Sequence, residues 1–315
     1  MTETNLQRAT RSPGLDLLDQ VHELFERGDV ASGMRRLFVG LDTLRTTMGA
    51  TRWREFASET AVAHPVCQMI HEDPMVARSF RKPRGYAGDA VLLDYLYGIR
   101  DRGGASELAR QIAEVSAGRG PAAAVRHRRD LIAYRIDQLA ERSPRSVRVL
   151  SIACGHFREG RQSIAVQTGN LEEVVALDSD ADSLREVAAS SPKIVTTCEM
   201  SVRRLLTGRA ELGTFDFVYS AGLYDYLEDR TAKSLTAKLF AMLRPGGKLL
   251  FCNFLPDTPD AGYMESFMGW SLIYRSLGAI VRLAEDVPEE QVSDTRRYED
   301  GFGSVGYVEL TKASS

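Results

Sequence analysis

The feature that most constrains this sequence is a change in hydrophobic periodicity near the middle of the chain. Up to about residue 142, apolar residues recur at the three- to four-residue spacing of amphipathic helices. After the turn-forming segment "SPRS", Ser143–Ser146, short apolar runs alternate with helical stretches. This division predicts an all-helical N-terminal part followed by an α/β domain.

Five apolar runs in the second part predict strands: "VRVLSIA", "EEVVALD", "KIVTTC", "FDFVYSA" and "GKLLFCNF". Because helical stretches separate them, we expect right-handed βαβ units and a parallel sheet. The last two runs, "QVSDTRRY" and "SVGYVEL", flank the Gly-rich "EDGFG" and predict an antiparallel hairpin. The predicted fold class is therefore α/β and Rossmann-like, with a seven-stranded, mostly parallel sheet that ends in an antiparallel hairpin.

The predicted domain organisation has three parts: a flexible tail over residues 1–13, a helical cap or substrate domain over 14–145, and the α/β domain over 146–315. The first residues, "MTETNLQRATRSPG", lack the apolar core of a signal peptide, so we expect a cytoplasmic protein.

Composition narrows the classes of partner. The formal net charge of −3 gives no reason to expect binding to nucleic acid. The longest apolar runs are far shorter than the ~20 residues that span a bilayer, so we expect no membrane insertion. The four cysteines are not paired at metal-ligand spacing, and we predict no metal site. A small-molecule substrate is expected, and the oligomeric state stays open.

The first predicted strand points to a ligand site. It ends in the small residues of "ACG", a helix follows, and open α/β sheets bind ligands beyond such strand ends. The loop lacks the G-x-G-x-x-G pattern, which counts against a dinucleotide. Asp178 ends the second strand and is suited to accept hydrogen bonds from ribose hydroxyls. Asp180 is also near this strand end, but a role as the cap of the following helix is favoured for it at least as strongly. The predicted cofactor contacts are Ala153, Cys154, Gly155, His156, Asp178, Ser179, Glu199, Met200, Ser201, Ser220, Ala221, Gly222 and Tyr226.

Three segments of this half together resemble class I S-adenosylmethionine-dependent methyltransferases. "LSIACG" resembles their glycine motif, "ALDSD" their ribose-binding acid, and "LRPGGKLLF" the turn before their fifth strand. The glycine motif departs from the common D-x-G-x-G form, because Ser151 replaces the acid. The resemblance implies S-adenosyl-L-methionine as cofactor and S-adenosyl-L-homocysteine as product.

A closer resemblance extends into the N-terminal helices. "KPRGYAGD", "SIACGHFRE", "SAGLYDYLEDR" and "WSLIYRS" are similar to segments of the bacterial methyltransferase family of 3-hydroxypalmitic acid methyl ester biosynthesis. The resemblance implies a hydroxy-fatty-acid-like acceptor and formation of a methyl ester.

Methyl transfer from a sulfonium requires the acceptor atom to lie in line with the leaving sulfur and away from water. A carboxylate is already ionised and needs no base, whereas an amine, imidazole or alcohol needs a proton acceptor. We expect a carboxylate acceptor, with N-methylation of an amino-acid-like metabolite or natural product as the alternative. A non-enzymatic S-adenosylmethionine-binding module is the third reading. The predicted catalytic residues are Tyr86, Asp89 and Tyr224.

Two segments outside the strands supply the predicted substrate contacts. "KPRGYAGDAVLLDYLY" has a proline and two glycines and predicts a loop between helices that carries functional side chains. "GYMESFMGWSLIYRS" follows the fifth strand and is expected to be one helical stretch. Arg275 is the candidate for gripping a substrate carboxylate, because its fork matches that group. The predicted substrate contacts are Arg84, Tyr86, Asn253, Glu265, Trp270, Tyr274 and Arg275.

Two further assignments concern polar residues near the expected site. Asp225 is expected to cap a helix rather than act as a base. The basic run "RHRRD", Arg126–Asp130, predicts a solvated helix face, with the alternative that one arginine reaches the methionine carboxylate of the cofactor.

Overall fold

The computed structural model describes residues 12–208 and 212–314, which form two compact units. Unit 1 extends to Ala123 and also includes Thr258–Ser271. Unit 2 comprises Ala124–Asp257 and the chain from Leu272 onward. The predicted tail lies almost entirely outside the described residues, and the predicted boundary between residues 145 and 146 stays a prediction.

The first part of the chain is helical, as predicted. Its helices are α1 (Pro13–Glu26), α2 (Val30–Thr47), α3 (Ala50–Glu55), α4 (Ala61–Ala63), α5 (Pro65–Ile70), α6 (Pro74–Arg81), α7 (Ala90–Leu96), α8 (Glu107–Ala117) and α9 (Gly120–Arg142). A π-helical turn, Phe56–Thr60, joins α3 to α4. The sequence fixes several of these boundaries locally: Asp89 accepts the backbone N–H of Leu92 and so begins α7. Helix α6 ends where Lys82 adopts φ 50° before Pro83.

Strands and helices alternate in the remainder. The elements are β1 (Arg148–Ile152), α10 (Glu159–Gln162), α11 (Ile164–Thr168), β2 (Glu173–Asp178), α12 (Ala181–Ser190), β3 (Val195–Glu199), α13 (Val202–Leu206), β4 (Phe215–Ser220), α14 (Asp229–Ala241), β5 (Leu243–Phe254), α15 (Ala261–Phe267), α16 (Leu277–Arg282), β6 (Val292–Glu299) and β7 (Val305–Lys312). Two 3₁₀ turns, Tyr224–Tyr226 and Glu289–Gln291, complete the set. Helix α15 belongs to unit 1.

The seven strands form one sheet in the order β3-β2-β1-β4-β5-β7-β6. Strands β1 to β5 pair in parallel, and β7 pairs antiparallel to both β5 and β6. This confirms the predicted Rossmann-like fold class. All six residues of the central strand β4 are buried, which explains why such strands appear in the sequence as continuous apolar runs.

The strand order reverses between β1 and β4, the point at which open α/β sheets bind ligands. The carboxyl ends of these two strands lie side by side, because Ile152 pairs with Ser220. The hairpin turn between β6 and β7 lies at the same edge of the sheet, because Val305 at the start of β7 pairs with Phe254 at the end of β5. The functional loops of unit 2 therefore share one edge.

Two local predictions are wrong. Strand β5 begins at Leu243, before the "PGG" turn, and the turn forms an irregularity in its pairing with β4. The segment after β5 is not one helix, since α15 ends at Phe267 and no regular element covers Tyr274 or Arg275. In both places the apolar pattern is compatible with a helix or a strand, and tertiary pairing decides between them.

The close approach of backbone at Gly247 gives a testable prediction. A Cβ at this position would lie 2.8 Å from the carbonyl oxygen of Arg244 and 3.0 Å from that of Phe215. Neither atom belongs to a flexible side chain, so Gly247→Ala should destabilise unit 2 by about 1–3 kcal/mol. The measurement is thermal unfolding followed by circular dichroism. Gly301→Ala is the control, because its Cβ would meet no atom within 4 Å; equal melting temperatures for the two variants would contradict the prediction.

Candidate cofactor-binding site

The loop after β1 has an unusual backbone. Ala153, Gly155 and Phe157 adopt positive φ angles of 53°, 53° and 49°. Such angles are strained for residues other than glycine and concentrate at functional sites. In the D-x-G-x-G pattern Ala153 takes the place of the first glycine, and the structure requires a glycine-like conformation there. The loop therefore has glycine-like backbone angles at both glycine positions of the pattern, although Ala153 fills the first of them.

Asp178 joins the ends of three strands. Its Oδ2 accepts the backbone N–H of Gly155 at 2.8 Å, and its Oδ1 accepts that of Asp180 at 2.9 Å. The carbonyl oxygen of Asp178 accepts the N–H of Met200, just after β3, at 2.8 Å. Each carboxylate oxygen can accept more than one hydrogen bond, so ribose hydroxyls remain possible donors.

The other predicted cofactor residues in the loops after β1 to β4 differ in exposure. Ser179 and Glu199 are exposed, Met200 is buried, and Ser201 caps α13 by accepting the N–H of Arg204 at 3.3 Å. The buried hydroxyl of Ser220 donates to the carbonyl of Ile152 at 3.3 Å and so holds β4 to β1. The remaining predicted contacts are Cys154 and His156, which are buried, Ala221 and Gly222, which are half-buried, and Tyr226, which is 37% exposed.

A buried acid and tyrosine lie behind the loop after β1, and the sequence analysis missed them. The Tyr219 hydroxyl donates to Oε1 of Glu159 at 2.6 Å. Burial raises the pKa of Glu159 and, together with this carboxyl, raises the pKa of Tyr219 well above its usual value. Tyr219 lies one residue before the end of β4, and Glu159 begins α10. A search of the sequence for polar residues near strand ends would have included both.

Asp225 is not the helix cap that the sequence predicts. It lies within the 3₁₀ turn Tyr224–Tyr226, and its Oδ1 accepts the backbone N–H of Phe254 at 2.7 Å. Burial raises the pKa of Asp225 to about 6, against opposing effects of this hydrogen bond and of the Arg128 and Arg275 charges. By contrast, Asp180 does cap α12, accepting the N–H of Asp182 at 3.1 Å.

The structure uses Arg275 inside unit 2 rather than for a substrate. Its five N–H donors make five hydrogen bonds to four acceptor atoms: two bonds to Oδ1 of Asp229, and one each to the carbonyl oxygens of Tyr224 and Leu227 and to Oδ1 of Asn253. A guanidinium has no sixth donor for a substrate carboxylate. The amide of Asn253 in turn donates to the carbonyl oxygens of Phe254 and Ile273. Both residues organise the end of β5, and neither is kept as a substrate contact.

Tyr224 is a core residue. It is fully buried, its ring stacks on Phe251 with centroids 4.9 Å apart, and its hydroxyl lies 2.9 Å from that of Thr236. These contacts leave no path to a ligand, so the predicted catalytic role is not kept. Of the two tyrosines in this turn, Tyr226 is the accessible one.

The predicted residues of unit 1 have their own contacts. Arg78 binds both carboxylate oxygens of Asp89, at 2.9 and 2.7 Å, so Asp89 fixes the loop before α7 and is not kept as a catalytic residue. Glu265 accepts from Arg45 at 3.1 Å and from Trp53 at 2.5 Å. These contacts give it a structural role. The other members of the predicted set are Trp270, which is buried in unit 1, Arg84 and Tyr86, which are half-buried there, and Tyr274, which is half-buried in unit 2.

The match to a known domain family covers this site. Residues 149–247, about a third of the chain, match the family described as "Methyltransferase domain". Together with the strand order, the match indicates the class I, S-adenosylmethionine-dependent type. The match does not extend to the narrower ester-forming family suggested by the sequence. No curated protein matches the chain.

Solved structures add support for the fold. A possible exported protein from Bordetella parapertussis superposes with a TM-score of 0.60 at 17% identity, over 99% of each chain. The N-methyltransferase NodS from Bradyrhizobium japonicum WM9, bound to S-adenosyl-L-homocysteine, gives 0.43 at 14% identity, over 59% of this chain and 87% of that chain. Magnesium protoporphyrin IX methyltransferase from Synechocystis PCC 6803 superposes with a TM-score of 0.47 at 13% identity, over 76% of this chain and 100% of that chain. The similarity to the Bordetella protein supports the fold alone.

The residues of the methyltransferase domain fit S-adenosylmethionine. In the loop after β1, Ala153 and Gly155 are half-buried, and Asp178 lies beside them with acceptor oxygens. Within residues 12–208 and 212–314, no group of three or more His, Cys, Asp and Glu side chains could hold a metal ion. In the same part of the chain, no helix has the length and hydropathy needed to cross a membrane.

The raised pKa of Asp225 predicts how stability depends on pH. Because its pKa is about 6 in the folded chain against an ordinary value of 3.8, folding favours the protonated form. Stability should therefore fall as pH rises from about 4 to 6, by on the order of 3 kcal/mol from this residue. Asp225→Asn mimics the neutral acid and should remove this part of the slope. The measurement is urea unfolding at pH 4, 5 and 6, with the exposed Asp257→Asn as control; identical slopes in all three proteins would contradict the assignment.

Proposed function

We propose that the chain transfers a methyl group from S-adenosylmethionine to a small-molecule acceptor, with a carboxylate oxygen as the acceptor atom. The observation that carries this proposal is the link between Asp178 and the loop after β1, within residues that match a methyltransferase domain. The narrower assignment, a hydroxy-fatty-acid-like acceptor and a methyl ester product, comes from the sequence resemblance and is part of the proposal.

The donor side follows from the chain's own residues. When bound, S-adenosylmethionine supplies a methyl group already activated on a sulfonium. We expect the backbone at Ala153 and Gly155 to contact its methionine part, and Asp178 to accept hydrogen bonds from the ribose hydroxyls. Met200 offers an apolar surface to the adenine, and the exposed Glu199 and Ser201 offer polar groups.

The acceptor side favours a nucleophile that is already ionised. The two residues predicted to be catalytic at the ends of loops, Asp89 and Tyr224, are engaged elsewhere: Asp89 with Arg78, and Tyr224 with Thr236. A carboxylate requires no such group, and positioning and exclusion of water then supply the catalysis. We expect a bell-shaped pH profile to be absent for this reaction.

One observation favours a nitrogen acceptor as the second candidate. The pKa of Asp225 is raised to about 6, close to the range in which a general base is effective. Asp225 lies just beyond β4, at the edge of the sheet where the donor is proposed to bind. If it accepts a proton from an amine or imidazole, Asp225→Asn will abolish turnover while leaving donor affinity intact. For a carboxylate acceptor the same variant will turn over.

Tyr86 is proposed to contact the acceptor. The loop that carries it has a defined conformation, since Lys82 and Gly85 adopt φ angles of 50° and 88° and Arg78 holds Asp89.

The proposed cytoplasmic location stays a prediction from the sequence.

Donor binding tests the first part of the proposal. Wild-type protein should bind S-adenosyl-L-homocysteine in isothermal titration calorimetry, and Asp178→Ala should weaken binding about 10- to 100-fold, because ribose hydrogen bonds to a charged group and the support of Gly155 are both lost. Asp182→Ala, an exposed acid in the first turn of α12, is the control. Absence of binding to wild-type protein at high micromolar ligand would overturn the proposal.

Product analysis tests the acceptor. Protein, methyl-labelled S-adenosylmethionine and a panel of 3-hydroxy fatty acids, other carboxylic acids, amines and imidazoles should yield labelled methyl esters identified by mass. Tyr86→Ala should raise the KM for the acceptor about tenfold or more with unchanged donor affinity, whereas Tyr97→Ala, on a neighbouring half-buried tyrosine, should not. Labelling of nitrogen compounds alone would select the second candidate, and a Tyr86→Ala enzyme with wild-type kinetics would remove Tyr86 from the site.

A further inference from the structure

An exposed aromatic side chain lies at the edge of the sheet where the donor is proposed to bind. Phe302, in the hairpin turn between β6 and β7, is 41% exposed. The turn lies at the carboxyl edge of the sheet, because Val305 pairs with Phe254 at the end of β5. Single exposed aromatic residues are common on protein surfaces, so the support and the position of Phe302 decide whether it has a role.

The hairpin turn has a fixed conformation. The carboxylate of Asp300 accepts the backbone N–H of Phe302 at 3.0 Å. It also accepts those of Ser304 and Val305, at 2.9 and 3.1 Å. The carbonyl oxygen of Ser304 accepts the N–H of Leu255 at 2.8 Å, which ties the turn to the end of β5. Because folding fixes this backbone, a ligand that contacts the phenyl ring does not have to order the turn first.

Helix α9 connects the hairpin turn with the loop after β4. The exposed ring of His127 meets that of Phe302 edge-on, with centroids 5.9 Å apart. The next residue, Arg128, is 5% exposed, and its Nη2 lies 3.6 Å from the position of a Cβ on Gly222. Arg128 is therefore directed into unit 2, which corrects the solvated face expected for the basic run. Adjacent residues of one helix thus reach the hairpin turn and the loop after β4.

The spacing along this edge suits an elongated acceptor. Only β5 separates β4 from β7 in the sheet. Because neighbouring strands lie about 4.8 Å apart, the hairpin turn is about 10 Å from the end of β4. The donor is proposed to bind at the strand-order reversal between β1 and β4. An acceptor whose carboxylate lies at the methyl group and whose apolar part extends along the edge therefore reaches Phe302, whereas a short acceptor does not.

We propose that Phe302 contacts the apolar part of the acceptor and gives the protein a preference for long apolar acceptors over short ones. The inference rests on the function proposed above and adds to it a residue that determines specificity. An exposed phenyl ring leaves water when an apolar chain covers it, and the gain in free energy grows with the area that is buried. A short acid covers no part of the ring, so Phe302 does not affect its binding.

The test varies the chain length of the acceptor. Protein saturated with S-adenosyl-L-homocysteine is titrated calorimetrically with 3-hydroxybutyric, 3-hydroxyoctanoic and 3-hydroxyhexadecanoic acids, and the KM of each acid is measured with S-adenosylmethionine. The variants are Phe302→Ala and Phe302→Leu. Tyr134→Ala is the matched control, because Tyr134 is an aromatic residue, 56% exposed, that lies about two helical turns beyond His127 on α9.

Phe302→Ala should weaken binding of 3-hydroxyhexadecanoic acid about tenfold and raise its KM by a similar factor, because an apolar contact is lost. The loss should be smaller for 3-hydroxyoctanoic acid and absent for 3-hydroxybutyric acid. Phe302→Leu keeps an apolar side chain and should retain most of the affinity, and Tyr134→Ala should match wild type with all three acids. Unchanged affinity for S-adenosyl-L-homocysteine shows that each variant is folded.

An equal effect of Phe302→Ala on all three acids, or wild-type affinity for all of them, would overturn the inference. A parallel loss of affinity for S-adenosyl-L-homocysteine would also overturn it and make Phe302 a structural residue. Methyl transfer only to acceptors without an apolar chain would do the same while leaving methyl transfer itself intact. Failure of the proposed function is distinguishable, because wild-type protein would then neither bind S-adenosyl-L-homocysteine nor methylate any member of the acceptor panel.

Discussion

The hydrogen bond between the N–H of Gly155 and the carboxylate of Asp178 is the interaction on which the site depends. It holds the loop after β1 against the end of β2, while the Asp178 carbonyl holds the residue after β3. Three strand ends thus reach one carboxyl-terminal edge with a fixed spacing. Parallel pairing makes this possible, because it places every strand-to-helix loop of β1 to β4 on the same side.

Burial of ionic groups is the second constraint. Arg275 satisfies its five donors within unit 2, and Asp225 and Glu159 are buried beside hydrogen-bond donors. A buried charge is tolerated only with such partners, so these residues hold the loops after β4 and β5 in place. Residues that appear in the sequence as substrate contacts prove to be supports for the loops.

The same distinction explains which predictions from sequence succeed. The seven strands, the hairpin and the helical first part follow from periodicity and turn residues, which act over a few neighbouring positions. The end of α15 at Phe267 and the start of β5 at Leu243 do not, because pairing with distant segments decides them. In the candidate site, the proposed cofactor contacts at Asp178 and in the loop after β1 stay predictions from strand-end position, and the structure adds the hydrogen bond that joins them. The roles of Arg275, Asn253, Tyr224 and Asp225 depend on partners 12 to 51 residues away along the chain, as in the Tyr224–Thr236 and Arg275–Tyr224 contacts.

The sequence by itself determined the fold class, because hydrophobic periodicity is a local property of the chain. Residues at strand ends also predict the edge of the sheet at which a ligand is proposed to bind. Only the tertiary structure decided which polar side chains are available at that edge. Burial and hydrogen-bond partnership are set by residues far apart in sequence, so Arg275 becomes fully engaged while Arg128, in a run of surface-like residues, is turned into the core. The hydrophobic periodicity of α9 places Arg128 in line with apolar residues. Only the packed structure shows that this side of the helix is buried.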